Sequence, residues 1–383
     1  MKITDYKRNL IIIVGCLFVL LFSFLFYNSA VVRDDDVYDV VLFWGQSNMV
    51  GYCGALKSER EKDIRFDYSD PNSVKEYSRI TGIDKEILSN CRQMNWIQVK
   101  PKINTAYEFV YSANSLKQIT ESTKELGEQL IYNTITKQLE ASSGKTYSIQ
   151  RSYGTNIIPQ FCKTYYEKTG HKVIAVMAAN SGEKIANFLP MTDNDYGDAK
   201  KQMIYESMVE KYNAAISYMN RQNLKIGKRL WVSFQGESDV SRTTTAEYKR
   251  LFQKVHDNLK KDLKITKGAI IETAVKIGTD MYPRVNRINK AQKQLALDNE
   301  NIIIGSSYAY DRYIPNELTY NSVNYHNSIF TDKDGKKLPY PQAFFIASSS
   351  VCYPNNTIHF TSAALSQIGK EAAISLANSF KKN

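Results

Sequence analysis

The chain has 383 residues, of which 43% are hydrophobic and 23% charged. Those proportions belong to a folded globular protein and exclude a wholly disordered chain, a collagen-like repeat and a small disulfide scaffold. Fifty Lys and Arg against 39 Asp and Glu give +11, a surface that attracts anions. The basic residues are interleaved with acids and form no dense block. No nucleic-acid partner is therefore expected, and acidic glycans, anionic lipids or a solvated surface remain.

The first element departs from globular composition. Leu10 to Tyr27 holds 18 residues without a charge, nearly enough helix to span a hydrocarbon core of about 30 Å. Lys2, Lys7 and Arg8 precede it, and the acidic run Asp34-Asp35-Asp36 follows. This reads as one N-terminal transmembrane signal anchor over 10–27, with 1–9 as a cytoplasmic basic segment, 28–36 as a linker and the rest outside. A cleaved signal peptide is the alternative, giving a secreted protein. The stretch is longer than a usual signal core, and Asn28-Ser29-Ala30 is a poor cleavage site. Cys16 lies inside the anchor. Cys53, Cys91, Cys162 and Cys352 follow it, and their pairing is not legible. No CxxC spacing occurs and only four histidines exist, so neither a metal nor a cofactor is expected.

Residues 37–383 read as one α/β domain. The first strand contains Val40 to Trp44. Residues 52–150 form a polar, irregular insertion with weak helical stretches such as Leu116 to Gln129. A helix over 155–169 carries Ile158, Phe161, Cys162 and Tyr165 on one face and stops at Gly170. Strand Lys172 to Met177 follows. Further helices are striped by Ile204, Met208, Tyr212, Ala215 and Met219, by Tyr248, Leu251, Phe252, Val255 and Leu259, and by Val285, Ile288 and Leu295. They alternate with strands at Arg229 to Phe234, Ala269 to Thr273 and Ile302 to Ile304. A last helix begins near Thr361 with Leu365, Ile368, Ala372 and Leu376. Alternation of this kind implies right-handed crossovers and a mostly parallel sheet covered on both faces, a three-layer sandwich.

Ligands bind at the carboxyl ends of the strands in such sheets. Three strands run there into polar turns: Gly45-Gln46-Ser47-Asn48-Met49, Ala179-Asn180-Ser181-Gly182-Glu183 and Gln235-Gly236-Glu237-Ser238-Asp239. A fourth cluster, Asn355-Asn356-Thr357-Ile358-His359, precedes the last helix. Together they bring a hydroxyl, an imidazole, carboxylates, amides and glycine N–H groups, an inventory suited to acyl transfer. Singly, each has a plainer reading as a cap, a turn glycine or a solvated acid. His171 and His256 read as surface residues, and His326 sits in a Tyr/Asn-rich loop with no acid nearby.

The GQSNM and QGES elements, with a histidine just before the last helix, resemble the SGNH hydrolase superfamily, which has a flavodoxin-like fold. The similarity is to its sialate O-acetylesterase-like branch, which includes carbohydrate esterase family six. The resemblance implies Ser47 as nucleophile, His359 as base, and an oxyanion hole from the Ser47 N–H, the Gly182 N–H and the Gln235 amide. Where the family commonly has Asp-x-x-His, this chain has Asn356-Thr357-Ile358-His359. An amide fixes the imidazole but brings no charge, so either Glu237 supplies the carboxylate, a role that similarity to the branch allows and the preferred one, or a Ser–His dyad works with amide support from Asn356. The expected substrate is an acetylated carbohydrate, the product acetate. Transfer of the acetyl group to a sugar hydroxyl, or a glycan-binding protein without activity, are the alternatives.

Overall fold

The computed structural model describes residues 36–51, 82–89, 91–93, 96–97, 104–119, 126–142, 144, 146–152, 154–197, 202–274, 282–313, 329–331, 337–339, 359–360 and 362–381, with isolated positions between 71 and 78. The Leu10–Tyr27 stretch, Cys53, Cys352, His326 and Asn356 lie outside these residues. Among the described residues no helix is long and apolar enough to cross a membrane.

Five parallel strands make the centre: β1 (Val37–Gly45), β6 (Lys172–Ala179), β7 (Lys225–Phe234), β8 (Lys267–Ile271) and β9 (Ile302–Ser306). Two more, β2 (Ala106–Val110) and β3 (Ser115–Gln118), extend the sheet to seven in the order β9-β8-β7-β1-β6-β2-β3. The five central strands alone thus follow the doubly wound order 2-1-3-4-5. Its switch point falls between β1 and β7, and the crevice that binds ligands in such sheets opens there.

Near-continuous apolar runs make these central strands, since helices cover both faces. Alternate residues of β1 go to opposite sides: Val41 and Phe43 to one core, Val40, Leu42 and Trp44 to the other. The first core is closed by α2 (Ile158–Thr169) and α6 (Ser362–Asn378), the second by α3 (Ile204–Arg221), α4 (Thr245–Leu263) and α5 (Tyr282–Asp298). The helical stripes expected from the sequence are the buried faces: Tyr248, Leu251, Phe252, Val255 and Leu259 of α4 are all buried. Each such side chain contributes about 1.5–3 kcal/mol. Local chemistry sets the ends of these helices. Thr244 accepts the Glu247 N–H at 3.2 Å, one half of a capping box, at the start of α4. Gly170, at φ +76°, ends α2.

The structure corrects the reading of the insertion. Leu116 lies in β3, not in a helix, and β3 runs antiparallel to β2, which pairs in parallel with β6. A turn decides this: Asn114 adopts φ +44° and its N–H meets the Tyr111 carbonyl at 3.0 Å, reversing the chain within four residues. A second hairpin joins β4 (Leu130–Asn133) to β5 (Gln138–Ala141). The segment after it returns to β6, where the Gln150 N–H donates to the Ala179 carbonyl at 2.9 Å.

Two histidines also differ from expectation. His256 is buried and accepts the Trp231 indole N–H at 3.3 Å; burial lowers its pKa. His171 is partly covered and lies 3.1 Å from the buried Asp39 carboxylate. Cys162 is a free, buried thiol whose pKa is pushed up by desolvation.

Candidate active site

The turns after β1, β6 and β7 meet at one edge of the sheet. Gly45 makes the meeting possible: at φ +141° its hydrogen faces β7, and a Cβ there would lie 2.0 Å from the Phe234 carbonyl oxygen. The next residue, Gln46, donates its N–H to that same carbonyl at 3.1 Å. The chain then turns into α1 (Ser47–Val50), placing Ser47 first. Ser47 is 7% exposed, and no hydrogen bond to its Oγ is made among the described residues.

Glu237 reaches this turn from the end of β7. Its carboxylate accepts the Gln46 side-chain amide on one oxygen and the Asn48 amide, at 2.6 Å, on the other. The residues on either side of Ser47 are thus held by one carboxyl group, and Ser238 Oγ donates to Gln46 Oε1 at 2.8 Å. Desolvation, opposed by the amide hydrogen bonds, pushes the Glu237 pKa up to about 7. The sequence reading paired Glu237 with His359. Here both oxygens serve the serine turn, and no hydrogen bond joins Glu237 to His359.

Gln235 is fully buried. Its Nε2 donates to Asp239 Oδ2 at 2.6 Å and to the Glu183 carbonyl at 3.3 Å, so both amide hydrogens are engaged inside the protein. Its Oε1 accepts the Tyr248 hydroxyl at 2.7 Å. Its carbonyl accepts from Tyr248, Thr273 and Gln292 at 3.0, 2.7 and 3.0 Å. The side chain expected to face an oxyanion is thereby part of a fixed wall. Asp239 completes that wall, accepting the Ile185 N–H at 2.9 Å and the Thr243 hydroxyl at 3.0 Å. Burial raises its pKa to about 6.

Gly182 lies in the turn after β6 at φ +77°, with open space where a Cβ would be. Its N–H has no acceptor among the described residues. His359 arrives from the other end of the chain, just before α6, and is partly buried. Its neighbour Phe360 stacks on Phe234, ring centroids 5.7 Å apart, which brings the histidine to the strand edge that carries Gly45 and Gln235. Desolvation lowers the His359 pKa below the ordinary imidazole value. Asn356 lies outside the described residues. The clamping amides of Gln46 and Asn48 and the bracing role of Asp239 were not assigned from the sequence, although all three stand inside the quoted motifs. No cluster of potential metal ligands occurs among the described residues.

Residues 113–326, more than half of the chain, match the family model for carbohydrate esterase, sialic acid-specific acetylesterase. The match contains Gly182, Gln235 and Glu237 and leaves Ser47 and His359 outside it. No curated protein matches the chain. Three solved structures are similar at low identity. A protein from Arabidopsis thaliana is 14% identical, with a TM-score of 0.46, over 90% of this chain and 98% of that one. NanS is 13% identical, with a TM-score of 0.45, over 91% and 98%. A carbohydrate acetylesterase from Xanthomonas citri is 12% identical, with a TM-score of 0.35, over 68% and 48%. By its family match, the chain belongs to the sialic acid-specific acetylesterase family of carbohydrate esterases, in the SGNH superfamily, and is an ester hydrolase acting on carbohydrate O-acetyl groups.

Proposed function

We propose that this esterase works through an acetyl-serine on Ser47, with His359 as the base. The observation that carries the proposal is the serine turn itself: a hydroxyl at the switch point with no hydrogen bond among the described residues, and both its neighbours clamped by Glu237. Ser47 Oγ attacks the acetyl carbonyl as its proton passes to the His359 imidazole. The tetrahedral intermediate collapses, the bond from acyl carbon to sugar oxygen breaks, and the proton goes to that oxygen. Water, deprotonated by the same imidazole, then attacks the acetyl-serine and releases acetate. Catalytic contacts often tighten only once substrate is bound, and the Ser47–His359 contact is assigned to that step.

The N–H groups of Ser47 and Gly182 receive the oxyanion in this proposal. Gln235, committed to Asp239 and Glu183, braces the hole. Glu237 holds the nucleophile's turn, and Asn356 supports the imidazole. A neutral imidazole is the required form, and the lowered pKa of His359 favours it at neutral pH. The substrate is an O-acetylated sugar, sialate or another cell-surface or plant glycan. The apolar stretch Leu10 to Tyr27 with its basic flank supports an outward-facing, membrane-anchored enzyme.

Turnover of p-nitrophenyl acetate and of acetylated sialic acid and xylan tests this reading, with Ser47→Ala expected to lower kcat by at least about 10⁴-fold. Wild-type turnover by that variant would end the serine mechanism.

A further inference from the structure

The turn that carries Gly182 is gripped from both sides. Downstream, the wall described above holds it through Glu183 and Ile185. Upstream, the grip comes from residues 147–150, where the long segment between β1 and α2 returns to the sheet. Asn180 Nδ2 donates to the Ser148 carbonyl at 3.1 Å, and the Ser181 N–H donates to Gln150 Oε1 at 2.8 Å. The Gln150 N–H in turn meets the Ala179 carbonyl at 2.9 Å. Two hydrogen bonds of one residue therefore close a ring over Ala179, Asn180 and Ser181, just before the glycine.

Gln150 is fully buried, and its Nε2 has no partner among the described residues. An apolar side chain would fill that volume without the cost of the unpaired Nε2, but would leave the Ser181 N–H without its acceptor. What the amide adds is its oxygen, the acceptor for Ser181. Gly182 itself is exposed, sits at positive φ and touches nothing at its Cβ position. The direction of its N–H is therefore set by the backbone on either side of it, which Gln150 holds at Ser181 and Gln235 at Glu183.

We infer that Gln150 is a positioning residue for the oxyanion hole, acting through the Ser181 peptide on the Gly182 N–H. The inference rests on the serine reading above and deepens it, because the insertion then contributes to catalysis. Displacing a donor at this distance costs roughly 10²-fold in rate.

The test compares three variants of the full chain on p-nitrophenyl acetate, with active sites counted by a serine-reactive fluorophosphonate. Gln150→Met keeps the length and loses the acceptor; kcat per titrated site falls about 10²-fold with KM within twofold. Gln150→Glu keeps an acceptor oxygen in either protonation state and holds kcat within about fivefold of the parent. A purely structural role would lower the number of titratable sites and leave kcat per site unchanged, which overturns the inference. A 10²-fold loss in Gln150→Glu also overturns it, even if Gln150→Met fails to fold. Ser47→Ala separates the two layers. If that variant is inactive while Gln150→Met turns over normally, only this inference falls; if Ser47→Ala stays active, both fall.

Discussion

Buried carboxylates sit at both ends of β1, and they are treated differently. At its start, Asp39 is wholly buried and accepts the Tyr165 hydroxyl at 2.7 Å and the Lys228 N–H at 2.6 Å, with the His171 imidazole at 3.1 Å. Gly227 packs so closely that a Cβ would lie 2.2 Å from an Asp39 oxygen. At the strand's far end, the hydrogen bonds to Glu237 and Asp239 among the described residues come from amides, hydroxyls and peptide N–H groups, and both pKa values are pushed up. The first arrangement turns all its donors inward and fastens β1 to α2 and β7. The second leaves the Ser47 hydroxyl and the Gly182 N–H without a hydrogen bond among the described residues. Polar burial at one end holds the fold together; at the other it holds the turns that carry Ser47 and Gly182.

Two substitutions break this contrast most directly. His359→Ala should lower kcat by about 10²–10⁴-fold, the usual contribution of a general base, with little change in melting temperature. Asp39→Ala should do the reverse. It strands a buried hydroxyl and a peptide N–H and costs about 3–5 kcal/mol in denaturant unfolding, while kcat per titrated site stays at the parent value. A rate loss without a stability loss in Asp39→Ala would erase the distinction between the ends.

The C-terminal edge was legible in the sequence because it is written as contiguous words. Gly45 to Met49 and Gln235 to Asp239 each place a glycine, an amide and a reactive or acidic residue within five positions, directly after an apolar strand. The parallel core was legible for the same reason, since its strands and helical stripes are locally periodic. Glu237 was read as a partner of His359 because spacing shows which residues share an edge and not which atoms they reach. Its true contacts are 191 and 189 positions away along the chain. The β2–β3 hairpin was missed because its strands are short and lack alternation, the reversal depending on the backbone of Asn114. Asp39 and His256 gave no signal, since a lone polar residue in a strand or helix looks alike whether its partner is water or protein.

A smaller effect concerns pH and stability. Glu237 and Asp239 titrate near 7 and 6 in the folded chain, above their unfolded values, as does Glu108 near 7. At these three carboxyls folding retains protons that the unfolded chain releases first, so their contribution to stability falls as pH rises from about 4 to about 7, opposed by His256 and His359, whose pKa values are lowered. Glu237→Gln removes one of the three carboxyls. Between pH 5 and 7 the slope of unfolding free energy against pH should become less negative by up to about 1.4 kcal/mol per unit relative to the parent, with the contributions of Asp239 and Glu108 kept. An unchanged slope would show that Glu237 titrates normally, as a solvated acid does.

The mildest test asks which group supports the imidazole. A carboxylate against His359 would stabilise the imidazolium and raise its pKa, whereas an amide would not. With Glu237 committed to Gln46 and Asn48, desolvation lowers the His359 pKa. The neutral base then persists into mild acid, and the acid limb of kcat/KM should have its midpoint below 6.5. Asn356→Asp would restore the family's commoner motif and should move that limb upward, while Glu237→Gln should leave it in place. A parent limb above 6.5 that drops in Glu237→Gln would return that carboxylate to the histidine and make the two buried acids of this edge unequal partners in the chemistry.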